Sequence, residues 1–504
     1  MTATASRIRS AVAGRFDQIF EPTDPEDRSQ LPVLIIIWLV WTMVMIMLNT
    51  AHEPWRDELQ AWAIARSSGQ PLQLLVNLRY EGHPPLWHLL LWPVAKVIPG
   101  IAGMKFVTIL VGSAATWIAL RFMPVSIWIR VALLFGYFPL YEYGVINRSY
   151  SVAWLCVVLS LWLAHRAHTP KWLMAVALGA LACTTGLAVP LAFAIALALW
   201  GGHLWASPGR HADRRMTWGF GTALVAVFLY GVIENRTKPE TIWSALTAPL
   251  VAAAPISRRT HHFWGNLLVN RLDGVGVILG IVLVVVIARL LRKSVSAQTV
   301  WLVSTFGFFI VMAESGRSVA PRFAGIVWMG AIAGVWFAAS ERRRIPEAER
   351  QPIHPAVKIA CVLVLAGSLG ASAWASWVDS TTTFSGGRTA ADWITERATG
   401  PVAVLCGSTA AVCSAVSIEL DVPAYRSPDG EPFTFVVYAP GWDEHLDEID
   451  ILNSATQLEL RTGRQVFVVG APDWFLTSCA ESMAPDRNAV FDPISVCLPG
   501  QPAP

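Results

Sequence analysis

Apolar runs of about twenty residues recur along this chain from Leu31 to Trp377, and runs of that length have few stable fates. A helix rises about 1.5 Å per residue, so about twenty residues cross the hydrocarbon core of a bilayer. The helix also bonds every backbone N–H and C=O internally, which lipid cannot do for it. The composition agrees: 54% of the 504 residues are hydrophobic and 14% are charged, where a soluble domain carries roughly 25% charge. The chain therefore reads as a polytopic α-helical membrane protein. Its formal charge of +3 is too small and too dispersed for a nucleic-acid partner.

The apolar segments are 31–50, 84–99, 103–122, 125–141, 149–166, 171–188, 189–206, 217–235, 272–292, 297–315, 322–340 and 358–377. Basic residues gather in cytoplasmic loops; here they fall at Arg121 to Arg130, His165 to Lys171, Arg210 to Arg215, Arg289 to Lys293 and Arg342 to Arg344. The polar segment 1–30 reads as a cytoplasmic tail with no cleaved signal peptide, because the first apolar run is too long for one. The alternation puts Asn147-Arg148, the 236–270 loop, the Glu314–Pro321 turn and the C-terminus outside. It fails once. Two apolar segments lie between the loop after the first span and Arg121 to Arg130, where an odd number is needed. The suspect is 84–99, which starts with Pro-Pro and contains Pro93 and Lys96. Parity favours 11 or 13 crossings within a range of 11–13. The span interiors are nearly free of ionisable residues, with Glu142, Glu234 and Glu314 at their ends. Transporters hold charges near the midplane, so the chemistry belongs at the outer face.

That face holds the first outer loop, 51–83. It opens with His52-Glu53-Pro54-Trp55-Arg56-Asp57-Glu58 and ends with Tyr80-Glu81-Gly82-His83-Pro84-Pro85-Leu86-Trp87-His88. Carboxylates are costly in lipid, and their clustering at the water boundary marks a site of use. Leu59, Trp62 and Ala63 recur at helical spacing opposite Gln60 and Arg66, which predicts a short interfacial amphipathic helix with Asp57 near its start. A carboxylate at headgroup level suits transfer of a sugar from a lipid phosphate. The phosphate leaves as a stable anion, so the reaction needs a base for the acceptor hydroxyl, cations for the phosphate and an apolar groove. Asp57 is the candidate base, with Arg56 and Glu58 beside it. Arg79, His83, Arg148, Arg317 and Arg322 are the candidate donor-phosphate and lipid contacts. Glu53, Asp57 and Glu81 form a candidate Mg²⁺ or Mn²⁺ set. His261-His262 and Arg258-Arg259 lie in the 236–270 loop and read chiefly as solvated loop residues.

Arg56-Asp57-Glu58 after the first span, the amphipathic stretch, and His83-Pro84-Pro85-Leu86-Trp87 resemble the first outer loop of GT-C glycosyltransferases. The likeness is to the dolichyl-phosphate-mannose–protein mannosyltransferase and aminoarabinose transferase-like families. Pro321-Arg322-Phe323-Ala324-Gly325 is similar to the family segment that faces the donor phosphate. The resemblance implies a GT-C-like membrane domain, Asp57 as catalytic base, an inverting transfer, and a polyprenyl-phosphate sugar as donor. The acceptor would be a glycan, lipid or protein in the envelope of a bacterial plasma membrane. Near Asn147-Arg148-Ser149-Tyr150 the family often carries an acid that is missing here. The two rival readings are a lipid or polysaccharide transporter and a non-catalytic, envelope-binding membrane scaffold.

After the membrane part (31–377) the composition turns polar. Residues 378–504 read as a small extracytoplasmic α/β domain, with strands at Pro401–Cys406 and Gln465–Gly470 and helices at Arg388–Ala398 and Ser454–Arg464. Cysteines at Cys406, Cys413, Cys479 and Cys497 permit disulfides in an oxidising compartment; the favoured pairs are Cys406–Cys413 and Cys479–Cys497.

Overall fold

A computed structural model describes residues 19–24, 27–81, 83–98, 100–166, 170–205, 239–255, 267–315, 319–407, 410–426, 430–437, 451–471, 475–486, 489 and 493–499. Five of the described helices are long and apolar enough to cross a membrane: Leu31–Ala51, Ala102–Phe122, Val295–Ser315, Pro321–Arg343 and Pro355–Thr381. Shorter apolar helices include Leu86–Ala95 and Tyr150–His165. The segment 217–235, Glu234, Arg210 to Arg215, Arg258, Arg259, His261, His262 and Arg317 lie outside the described residues.

The first and last spans form an outer layer. Val33, Ile36, Met43 and Met47 on one and Ile359 and Leu363 on the other expose their apolar side chains, as lipid-facing residues do. The other three long helices are mostly buried. Segment 84–99 folds as the ten-residue helix Leu86–Ala95 with Pro93 inside it. At 1.5 Å per residue such a helix is about half the depth of the hydrocarbon core. That leaves Ala102–Phe122, with Arg121 in its last turn, as the one described helix between the acidic loop and Met123 that is long and apolar enough to cross.

Segment 125–141 is not one helix. It divides into Ile127–Leu134 and a π-helix, Tyr137–Val145. Gly136 is extended between them, and Pro139 supplies no backbone N–H. The wider i→i+5 bonding stacks Tyr137 over Glu142, whose Oε2 accepts the Tyr137 hydroxyl at 2.8 Å. Glu142 is thereby buried inside the bundle, not at a span end as the hydropathy pattern predicts. Asn49 of the first span donates to the Val145 carbonyl at 2.9 Å and locks this turn against the C-terminal end of that span.

Among the described residues the C-terminal region forms a six-stranded sheet of order β3-β2-β1-β4-β6-β5, with β1 Val402–Cys406, β2 Ala424–Tyr425, β3 Pro432–Phe433, β4 Gln465–Val469, β5 Cys479–Met483 and β6 Val496–Pro499. β1 pairs in parallel with β2 and β4, Val404 lying beside both Ala424 and Phe467. β1 and β4 are buried over nearly their whole length, the pattern of strands covered on both faces. Helices Gly387–Arg397 and Ala410–Leu420 cover one face through Ile394, Cys413 and Val416. Ile451–Thr462 covers the other through Ala455 and Leu458. Cys479 and Cys497 form a disulfide between adjacent strands. The expected Cys406–Cys413 bond is absent, and both thiols are free and buried. Cys413 belongs to the helix packed on the sheet, and its thiol donates to the Val469 carbonyl at 3.4 Å.

Candidate active site

The loop helix Arg56–Ser67 begins immediately after the extended turn that follows the first span. Trp55 is its N-cap and makes no side-chain cap bond; Glu58 reaches back to accept the Trp55 N–H at 3.1 Å. Asp57 is the second residue of the helix and not its cap. The expected interfacial helix is not amphipathic in place: every residue from Glu58 to Ala65 is buried. Its polar face is covered by the C-terminal domain, through the Ala410–Leu420 helix and the backbone of Val436. Gln60 and Val436 bond reciprocally, amide to carbonyl at 2.8 Å and N–H to amide oxygen at 2.9 Å.

Adjacent residues on a helix lie about 100° apart, so Asp57 and Glu58 face different surroundings. Glu58 turns inward. Its Oε2 lies 3.0 Å from His52 Nε2, and its Oε1 accepts both the backbone N–H (2.5 Å) and the side-chain amide (2.8 Å) of Asn147. His52 Nδ1 in turn lies 2.9 Å from Asp379 Oδ2, which also accepts the Tyr141 hydroxyl at 3.0 Å. Burial alone would lower the His52 pKa, but the carboxylates on either side raise it to about 10. His52 is a fixed cation between two anions. Burial opposes the Glu58 charge as well, yet His52 and the backbone donors hold its pKa below the ordinary value.

Asp57 turns the other way. With Gln60 and Ala61 it lines a cavity of about 130 Å³ whose other walls are Glu81, His83, Pro84, Trp87, His88, Arg148, Ser149 and Thr184. This is smaller than the roughly 300–1,000 Å³ that encloses a drug-sized ligand, and is on the scale of a headgroup. Arg148 Nη1 meets Asp57 Oδ2 at 2.5 Å. The guanidinium groups of Arg148 and Arg322 lie 5.7 and 5.2 Å from the Trp55 ring centroid, distances of cation–π attraction. Burial raises the Asp57 pKa, but Arg148, then Arg322, then Arg56 outweigh it, and the net shift is downward. Glu81, on the same cavity, feels Arg148 more weakly than Asp57 does. It accepts from Gln60 at 3.1 Å, and burial drives its pKa up to about 7. Tyr143, Tyr150, Trp154 and Trp328 form a chain of ring contacts inside the bundle.

The structure therefore brings together Asp57, Glu81, His83 and Arg148 on one cavity, with Arg322 against the same Trp55 ring. It separates the rest. Arg79 is exposed and stacks on Tyr80 at 5.3 Å. Glu53 faces the C-terminal domain, where burial raises its pKa against the lowering pull of Arg388 and the Ser385 backbone. Glu53, Asp57 and Glu81 consequently do not converge as a metal set. Among the described residues no group of three or more His, Cys, Asp or Glu side chains could hold a metal ion. The Mg²⁺ or Mn²⁺ expectation does not fit these donors: Asp57 is paired with Arg148, Glu81 accepts from Gln60, and Glu53 lies apart from both, near Arg388 and the Ser385 backbone.

Sequence reading gave Gln60 only a place on the helix's polar face and missed Ser149 and Thr184 on the cavity. It also missed Asp379, near the C-terminal end of the Pro355–Thr381 helix. His88 and Trp87 carried the one available signal, adjacency to the Pro84-Pro85 turn. No protein-family model and no curated protein matches this chain.

Proposed function

We propose that this protein is an inverting, GT-C-like membrane glycosyltransferase that moves a sugar from a polyprenyl-phosphate donor to a glycan, lipid or protein acceptor. The acceptor hydroxyl attacks the anomeric carbon, the bond to the phosphate oxygen breaks, and the phosphate leaves as an anion. Asp57 takes the hydroxyl proton. Arg148 and Arg322 hold the leaving phosphate, and the site faces outward from a bacterial plasma membrane, as does the C-terminal domain. The observation that carries this reading is a carboxylate on the wall of a polar cavity, flanked by two guanidinium groups fixed on one indole ring. Such a cavity suits a scaffold poorly, because a purely structural ion pair has no need of open space beside it.

The test uses full-length protein in liposomes containing polyprenyl-phosphate sugars, with product followed by mass spectrometry. Loss of a positioned base costs about 10²–10⁴-fold in rate, so Asp57→Asn should lose transfer by that order while keeping its unfolding temperature. Full activity in Asp57→Asn removes the assignment.

A further inference from the structure

A base must be able to take a proton, yet Asp57 rests on Arg148 at 2.5 Å. One of the two partners has to move before Asp57 can act. Arg148 is nearly enclosed, with 9% of its side chain exposed, and is held over the buried Trp55 ring; Asp57 keeps 33% of its side chain exposed. Asp57 is also the shorter side chain, on the first turn of its helix. The movable partner is the carboxylate, and the fixed one is the guanidinium.

A guanidinium fork binds phosphate oxygens in the same geometry as carboxylate oxygens. The surrounding acids are occupied elsewhere: Glu58 by His52 and Asn147, Glu142 by Tyr137, and Glu81 by Gln60. We infer that Asp57 is the resident counter-ion of an anion site on Arg148 and Arg322, and that a prenyl-linked phosphate binds there by displacing it. Donor binding then sets Asp57 free beside the acceptor, so the base is exposed only when a phosphate is in place. The inference rests on the donor-phosphate part of the proposed function. Competition for one guanidinium is reciprocal: whatever removes the Asp57 charge must tighten phosphate binding.

Calorimetric titration of the full-length protein in detergent with geranyl phosphate, and separately with inorganic phosphate, tests this. Asp57→Asn should bind geranyl phosphate about three- to fivefold more tightly than the natural protein, the scale of one partly exposed ion pair. Arg148→Ala should bind it more weakly than either. Tightening with both probes means that the phosphate alone competes; tightening with geranyl phosphate alone means that the lipid is needed to seat it, and both outcomes support the exchange. Equal or weaker binding by Asp57→Asn overturns it, as does absence of binding of both probes to the natural protein. Asp57→Ser serves as the second variant if the unfolding temperature of Asp57→Asn falls. Tightening without any sugar transfer removes the proposed function and leaves the exchange. Transfer without tightening does the reverse.

Discussion

His52 and Asp379 stand 327 residues apart in the chain, and their side chains meet at 2.9 Å in a space closed to solvent. Between them and Glu58 a single imidazole ties together the end of the first span, the loop helix and the C-terminal end of the Pro355–Thr381 helix. Of the cavity-lining residues, Asp57, Gln60 and Ala61 are carried on the loop helix that this contact holds.

Replacing His52 by Ala leaves two buried carboxylates without their cation. Breaking a buried ion pair costs about 3–5 kcal/mol, so His52→Ala should unfold at markedly lower temperature in detergent. An unfolding temperature equal to that of the natural protein would contradict the arrangement.

The same histidine gives a pH dependence of stability. Its pKa rises on folding from 6.5 to about 10, so its contribution is fully present below about pH 6.5 and is lost as pH rises towards 10. Thermal unfolding followed from pH 6.5 to 10 should show falling stability, and the His52→Ala variant should lack that part of the slope.

Glu81 places a second titration in the cavity. Below about pH 7 it is neutral, and above it adds a negative charge near Asp57. Binding of a prenyl phosphate should therefore weaken as pH rises through about 7. Glu81→Gln should flatten that profile and bind as the natural protein does at the lower pH. A profile unchanged in Glu81→Gln would assign the titration to another group.

Gln60 bonds the Val436 backbone twice and Glu81 once. Gln60→Leu strands all three groups, at about 1–3 kcal/mol for each that remains buried. Hydrogen exchange at the Val436 amide should accelerate, and limited proteolysis should release the C-terminal domain sooner. Unchanged protection at Val436 would mean that other contacts hold the domain in place.

The cysteines make a chemical prediction. After denaturation without reductant, five thiols should react with maleimide, those of Cys156, Cys183, Cys361, Cys406 and Cys413. Reduction should add Cys479 and Cys497, and should cost the C-terminal domain about 3 kcal/mol for the loop their bond closes. Three reactive thiols before reduction would mean that Cys406 and Cys413 pair as well.

The helical membrane part was legible in the sequence because lipid leaves a long apolar run almost no alternative to a helix. The acidic cluster after the first apolar run was legible because carboxylates seldom stand beside such a run without packing partners of their own. The β1 and β4 strands and the Cys479–Cys497 bond were also readable, the strands from short, continuous apolar runs. The break at Gly136, the π-helix after it and the burial of Glu142 were not, since hydropathy records polarity and not hydrogen-bond pattern.

What the sequence by itself determined is that acidic side chains stand at the end of the first span and that cations are available to meet them. Tertiary structure decided which acid does what. Asp57 and Glu58 are chemically near-equivalent neighbours, and one helical step turns the first to the cavity and Arg148 and the second to His52 and Asn147. Those partners come from segments 91 and 89 residues away for Arg148 and Asn147. No local pattern encodes such meetings, because they are fixed only when the helices pack.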